Sequence, residues 1–308
     1  MFSTLVVPLD GSALAERALP YAVRFAQARQ GRLILMRAAL AAPPRTLDGS
    51  DWEREQAEAI DEAEQYLRKM AQSVSGQVSG VESLVLYGRA AAQILKTTTR
   101  YAADGIVMAT HGRTGLPHLL HGSVTEAVLA NTTVPVFVVY GRPGEEPAPP
   151  FSPYTARVLV PQDGSEYDAP ALHAALEVLG LRGEIVLVTV IAPPQRVLHD
   201  EFDHILAYVD QQEEAHRLQA RDYLNKIAAE LRDRPLPIQV KVDVRVGDPA
   251  SSIAMAAIEE SAELIIMATH GRTGLRRAVF GSVAGTVLRT GPTPVLLVHP
   301  TCAAARVA

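Results

Sequence analysis

Apolar residues in this chain fall into short continuous runs, and the segments between them carry apolar positions at helical spacing. Phe2 to Leu9 is the first run, and it closes on Pro8-Leu9-Asp10-Gly11-Ser12. Residues 13–29 then place Leu14, Ala18, Tyr21, Ala22 and Phe25 on one face, which predicts a helix. Pro20 falls inside that pattern, so the helix is expected to kink or to begin irregularly. Gly31 ends it, and Arg32 to Leu40 reads as a second strand. Beyond Pro43 and Pro44, Ser50 is the expected N-cap of a helix over residues 51–73, with Trp52, Ile60, Ala63, Leu67 and Met70 as its apolar stripe. A third strand (Val81–Tyr87), a helix over 90–103, a fourth strand (Gly105–Ala109), a helix from Ser123 to Ala130 and a fifth strand (Val134–Tyr140) complete the series. Strands that alternate with helices and are almost wholly apolar predict a parallel sheet covered on both faces.

Residues 141–156 carry Gly141, Pro143, Gly144, Pro147, Pro149, Pro150 and Pro153, which no helix or strand tolerates together, so they read as a linker. Then the series restarts. Arg157–Val160 is a strand that closes on Pro161-Gln162-Asp163-Gly164-Ser165. A helix to about Leu179, a strand from Glu184 to Ile191, one long or broken helix over 200–231 and a strand from Ile238 to Val246 follow. Asp248-Pro249 predicts the next helix start, with Asp as N-cap and Pro at the first helical position. Asp10 recurs at Asp163 and Gly112 at Gly271, 153 and 159 residues on, so the chain is a tandem duplication. The expected domains are residues 1–142 and 156–301, joined by the linker 143–155.

The most informative stretch is Met108-Ala109-Thr110-His111-Gly112-Arg113-Thr114-Gly115-Leu116, followed by Gly122-Ser123-Val124. It recurs as Met267-Ala268-Thr269-His270-Gly271-Arg272-Thr273-Gly274-Leu275, with Gly281-Ser282-Val283 at the same distance. A strand that empties into a Gly-rich loop and then a helix start can hold phosphate, because the helix presents unpaired N–H groups and positive dipole. In open α/β sheets ligands bind beyond the C-terminal strand ends, where strand order reverses. If the first and fourth strands are neighbours, Asp10 and the Gly loop face one crevice, where Asp10 can accept a hydrogen bond from an adenine amino group or a ribose hydroxyl. Neither G-x-x-x-x-G-K-[ST] nor G-x-G-x-x-G occurs.

These motifs resemble the universal stress protein family in its tandem form, over nearly the whole chain apart from the linker and the last few residues. The family's ATP-binding members carry G-x-x-G-x9-G-[ST] after the fourth strand, and Gly112 to Gly122-Ser123 and Gly271 to Gly281-Ser282 keep that spacing. The resemblance implies an adenine nucleotide alpha hydrolase-like, Rossmann-like α/β fold. Each domain would be a doubly wound five-stranded parallel sheet, in the order 3-2-1-4-5, and the two domains would pair along their fifth strands. It implies adenine near Pro8, Asp10, Ala38 and Met108, with ribose and phosphates near Ala109, His111, Gly112, Gly122, Ser123, Val124 and Thr125. Arg113 and its second-lobe counterpart Arg272 read equally as phosphate contacts or as solvated loop charges. The corresponding positions of the second lobe are Pro161, Asp163, Val190, Met267, Ala268, His270, Gly271, Gly281, Ser282, Val283 and Ala284. Ala109 and Ala268 stand where the family has its first motif Gly, and a β-carbon removes freedom for positive φ and crowds the ligand. Thr125 of the first lobe becomes Ala284 in the second, so the two sites are expected to differ.

Asp10 and Asp163 also fit a plain reading, an Asx turn or a helix cap. His111 and His270 read as local hydrogen-bonding residues or neighbours of the phosphates, since no orienting carboxylate belongs to their motif. His118 and His121 are replaced by Arg277 and Phe280 in the second lobe, and His199, Asp203 and His204 read as solvated helix charges. Aromatics make up 5% of the chain, so Val, Ile, Leu and Ala must fill a core that a 48% hydrophobic share supports. The net charge of −5 offers no general attraction to nucleic acid or anionic membrane. No run reaches the roughly 20 apolar residues of a membrane span. One cysteine, Cys302, and a start without signal-peptide features complete the expectation of a cytoplasmic protein. The functional expectation is a stress-response module that binds ATP, AMP or ADP, with Mg2+ as the companion of ATP. It would act on an unidentified protein partner, as an internal domain pair or a homodimer. A slow ATPase or other nucleotide-dependent enzyme, and a dimerisation scaffold that binds no nucleotide, are the alternatives.

Overall fold

The computed structural model describes residues 2–39, 49–111, 123–141, 156–165, 168–180, 183–193, 205–235, 237–269, 281–290 and 293–299. The chain divides into two compact units. The first repeat runs β1 (Thr4–Pro8), α1 (Ala13–Glu16), α2 (Ala18–Ala28), β2 (Arg32–Ala39), α3 (Gly49–Val74), β3 (Gly80–Tyr87), α4 (Ala90–Arg100), β4 (Gly105–His111), α5 (Ser123–Asn131) and β5 (Val136–Gly141). The second runs β6 (Arg157–Pro161), α6 (Asp168–Leu179), β7 (Gly183–Ile191), α7 (Ile205–Arg232), β8 (Ile238–Val246), α8 (Pro249–Glu259), β9 (Leu264–Ala268), α9 (Ser282–Thr290) and β10 (Val295–Val298).

Strand order in the first repeat is β3-β2-β1-β4-β5, and the second gives β8-β7-β6-β9-β10. The pairings are parallel, with Pro8 opposite Met36, Leu5 opposite Gly105 and Met108 opposite Val138 in the first lobe. Pro161 lies opposite Val188 in the second. In both lobes the first strand therefore has the second on one side and the fourth on the other, and this reversal opens a crevice at the C-terminal strand ends. Helices cover both faces, which is why Leu5, Val6 and Val7 are all buried, with no polar side to alternate with. Under α2 the ring of Phe137 sits 5.1 Å from Tyr21 and 5.0 Å from Phe25, and Phe25 is 4.5 Å from Phe2.

Gly105 sits where β4 comes closest to β1. A β-carbon there would stand 2.8 Å from Leu5 Cδ2 and 3.0 Å from Phe2 Cδ1. The absence of a side chain at Gly105 thus leaves room for the Leu5 and Phe2 side chains against β4.

Three local expectations change in detail. The helix over 13–29 is two helices: the Ser12 side chain caps α1, Arg17 closes it, and α2 restarts at Ala18. Pro20 then lies in the first turn of α2, where a missing N–H leaves no intrahelical bond unmade. The helix predicted from residue 51 begins at Gly49, so Ser50 lies inside it and is not its cap. On α3 the packed face runs through Ala63, Leu67, Met70 and Val74, whereas Ile60 is 37% exposed. A 26-residue helix is about 39 Å long and an eight-residue strand about 26 Å, so α3 overruns the strands it covers. Of the region expected to be one long or broken helix, Ile205–Arg232 forms a single helix, α7, and residues 200–204 lie outside the described residues. At α8 the expectation holds in full, because Asp248 accepts the Ser251 N–H at 2.9 Å and Pro249 opens the helix.

Candidate functional site

The Asp-Gly-Ser turn takes the same form in both lobes. Asp10 Oδ1 accepts the Ser12 N–H at 2.9 Å, and Asp163 Oδ1 accepts the Ser165 N–H at 3.0 Å. Gly11 and Gly164 have φ of 90° and 77°, which a side chain would strain. In the first lobe the helix cap is Ser12, whose hydroxyl accepts the Ala15 N–H at 3.1 Å. Both aspartates therefore make the Asx turn of the plain reading, with one carboxylate oxygen committed to it.

Beyond this turn the first lobe contains a cavity of about 180 Å3. Its sheet wall is Pro8, Met36, Ala38, Met108 and Thr110, and its opposite wall is Ala90 and Ile94 of α4 with Val124 and Thr125 of α5. Leu9, Asp10, Ala15 and Ala109 close it at the strand ends. Side chains alternate along a strand, so Pro8, Met36 and Ala38 share with Met108 and Thr110 the face that α4 and α5 cover. Seven of the expected first-lobe residues are thus brought to one cavity: Pro8, Asp10, Ala38, Met108, Ala109, Val124 and Thr125. Ser123 opens α5 directly beside them, placing the unpaired N–H groups of a helix start at the cavity's end. His111 is the last residue of β4, and Gly112, Arg113 and Gly122 lie outside the described residues.

The alanine that replaces the family's first motif glycine does not close this space. Ala109 lies within β4, opposite Val139, and Ala268 ends β9, so both occupy extended strand where a β-carbon is not strained. The concern over positive φ is answered by strand geometry.

In the second lobe, Pro161 ends β6, Val190 lies in β7 and Met267 and Ala268 end β9. Gly281 precedes α9, where Ser282, Val283 and the buried Ala284 form the first turn. The Gly281 N–H donates to the Thr269 carbonyl at 2.9 Å, which commits it within the protein. His270, Gly271 and Arg272 lie outside the described residues.

One residue at this turn carries no sequence motif. Asp168, at the start of α6, accepts the Asp163 N–H at 3.1 Å and the Gly164 N–H at 2.7 Å. The Tyr223 hydroxyl of α7 donates to the same carboxylate at 2.8 Å. Burial pushes the Asp168 carboxyl up to about 6, against the lowering effect of the hydrogen bonds from Asp163 and Tyr223, and the Asp163 charge raises it further. The first lobe has a parallel group. Burial raises the Tyr66 phenol above its ordinary value, the nearby Glu16 and Asp10 carboxylates add to this, and Arg37 opposes it. Arg37 lies 5.4 Å over the Tyr66 ring and 3.6 Å from Glu62. A carboxylate on the helix after the first strand and a tyrosine on the long helix thus recur beside both Asp-Gly-Ser turns. The signal was present in the sequence as Tyr66 and Tyr223 at matching places on the two long helices, but nothing in it tied them to the turn.

Among the described residues no group of three His, Cys, Asp or Glu side chains forms a metal position. No described helix is long and apolar enough to cross a membrane.

Fold and crevice together define a tandem doubly wound α/β protein, with strand order reversing at each candidate site. The chain belongs to the universal stress protein family, whose pattern matches residues 1–140 and 155–299. A universal stress protein of Mycobacterium tuberculosis is 26% identical over 318 aligned positions, covering 95% of this chain and 94% of the relative. A single-domain universal stress protein of Thermus aquaticus is 34% identical over 139 positions, which are 45% of this chain and 99% of the relative. The crystal structure of a universal stress protein from Archaeoglobus fulgidus aligns with a TM-score of 0.69 at 22% identity, covering 97% of each chain, and shares the fold.

Proposed function

We propose that the chain is an adenine-nucleotide-binding regulatory module with its principal site in the first-lobe cavity. The observation that carries this reading is the cavity itself, which lies at the strand reversal between β1 and β4. Its walls suit a flat base: Pro8, Met36, Ala38, Ile94 and Met108 are apolar, and Asp10 stands at the rim as a hydrogen-bond acceptor. At about 180 Å3 it is smaller than the roughly 300–1,000 Å3 of pockets that enclose whole drug-sized ligands, so it suits the base end of a nucleotide. The phosphates would then extend past Thr125 toward the α5 N-terminus and the Gly112–Gly122 loop, with Arg113 as a further cation and Mg2+ as the companion of ATP.

In this reading the second lobe holds a weaker site built on Asp163, Val190, Met267 and the α9 turn, because Ala284 lacks the hydroxyl that Thr125 supplies. The nucleotide orders the Gly loop, and a protein partner in the cytoplasm reads the surface so formed, on the single chain or its homodimer.

The test is to denature freshly purified full-length protein and to identify and count released nucleotide by chromatography and mass. Calorimetric titration with ATP and Mg2+, ADP and AMP follows. At least one adenine nucleotide per chain is expected, and Asp10→Ala should weaken binding about tenfold or more. No released nucleotide together with no binding heat would overturn the reading and leave a dimerisation scaffold. Phosphate release that disappears in Asp10→Ala with Asp163→Ala would convert it to a slow ATPase.

A further inference from the structure

The cavity presents one polar group that neither the turn nor the helix start accounts for. Thr110 is 3% exposed, and its hydroxyl has no hydrogen-bond partner among the described residues. Burying a hydroxyl without a partner is unfavourable, and such groups are rare in folded proteins. Thr110 also lines the cavity. Alternation along β4 puts it on the same face as Met108, two residues nearer the strand's C-terminal end, which is roughly 7 Å along the strand.

The three lining residues with polar side-chain atoms are Asp10, Thr110 and Thr125, and all stand toward the strand ends and the helix start. A nucleotide whose base lies against Met36, Met108 and Ile94 and whose phosphates approach α5 must pass its sugar between them. Thr110 lies in that interval. We infer that the Thr110 hydroxyl hydrogen-bonds a sugar hydroxyl of a ribonucleotide in the first-lobe cavity, so that this residue selects ribose over deoxyribose. The inference rests on the nucleotide reading above and adds a residue and a specificity to it.

The cost of the unpaired hydroxyl falls on the ligand-free state, so a shape-matched apolar replacement has two effects of opposite sign. Thr110→Val keeps the branched shape and removes the hydroxyl. In the ligand-free protein it should leave the first-lobe melting temperature unchanged or raise it by about 2–4 °C. Its affinity for ATP should fall about three- to tenfold, the weight of one neutral hydrogen bond.

The experiment is calorimetric titration of ATP, 2′-deoxy-ATP and 3′-deoxy-ATP into the full chain, with and without Thr110→Val, in an Asp163→Ala background that weakens the second site. The expected result is that one deoxy analogue binds the two proteins equally, while the other analogue and ATP both lose affinity on Thr110→Val. An equal loss for all three ligands, or no loss for any, would overturn the sugar assignment while the nucleotide reading stands. A lowered melting temperature with an equal loss for every ligand would make Thr110 a structural residue and would also overturn it. If the unmutated protein binds none of the three, the nucleotide reading fails and this inference fails with it.

Discussion

Asp168 offers a measurable link between pH and the turn that carries Asp163. Its carboxyl is half-buried and sits at about 6, although two N–H groups and the Tyr223 hydroxyl bond to it. In the unfolded chain it returns to the ordinary value of 3.8. Below pH 4 the group is protonated in both states and places no penalty on folding. Between 4 and 6 the unfolded state ionises while the folded state keeps its proton, so stability falls as pH rises, and the loss levels off by about pH 7. A carboxyl moved from 3.8 to about 6 corresponds to roughly 3 kcal/mol. Other carboxylates tilt the whole curve, so the diagnostic quantity is the difference between the natural protein and Asp168→Asn, which cannot ionise. That difference is expected to shift against the natural protein by about 2–3 kcal/mol between pH 4 and 7 and to stay level above 7. Urea unfolding at half-unit pH steps supplies it, and carbon-detected NMR titration of the Asp168 carboxyl supplies the same value independently. A difference that is constant across this range, or that moves in favour of the natural protein, would refute the account of a desolvated carboxylate.

Two further outcomes are expected. Gly105→Ala forces a β-carbon to within 2.8 Å of buried Leu5 at the β1–β4 reversal, so urea unfolding should show a loss of about 1–3 kcal/mol. A neutral result would mean that β1 and β4 separate at little cost. Asp248→Ala removes the cap of α8 and should cost about 1 kcal/mol at neutral pH, read by unfolding or by amide exchange in the first α8 turn. The Ser251 N–H and hydroxyl hold the Asp248 carboxyl below its ordinary range, so this contribution is present above pH 4 and is lost as pH falls through the lowered value.

The order of elements was legible because each local signal pointed the same way. Apolar runs without alternation meant strands covered on both faces, and the two Asp-Gly-Ser closures and two Gly loops at matched spacing meant one plan used twice. The Asp248-Pro249 helix start needed nothing beyond its own neighbours, and neither did the Asx turns at Asp10 and Asp163. Errors arose where length or long-range packing decides. Ile60 keeps the helical rhythm of Ala63 and Leu67 yet is 37% exposed, which the spacing alone does not foretell. Ser50 has cap chemistry, but the helix starts before it.

The site divides in the same way. Asp10 was a candidate from its turn at the end of the first strand, and Met108 and Thr125 from the family resemblance, but their convergence on one cavity depends on β4 lying next to β1, a contact between residues about 100 positions apart. That Ala109 sits without backbone strain is likewise a tertiary fact, since it depends on the strand conformation found there. Asp168 and Thr110 were illegible for the same reason. A carboxylate that titrates near 6, or a hydroxyl without a partner, is defined by what surrounds it, and those surroundings are assembled from segments distant in the chain. Sequence by itself determined the repeat, the elements and the turns, because these follow from local backbone preference and the period of apolar residues. Only the tertiary structure decided which polar groups are buried, which are satisfied and which still face a cavity.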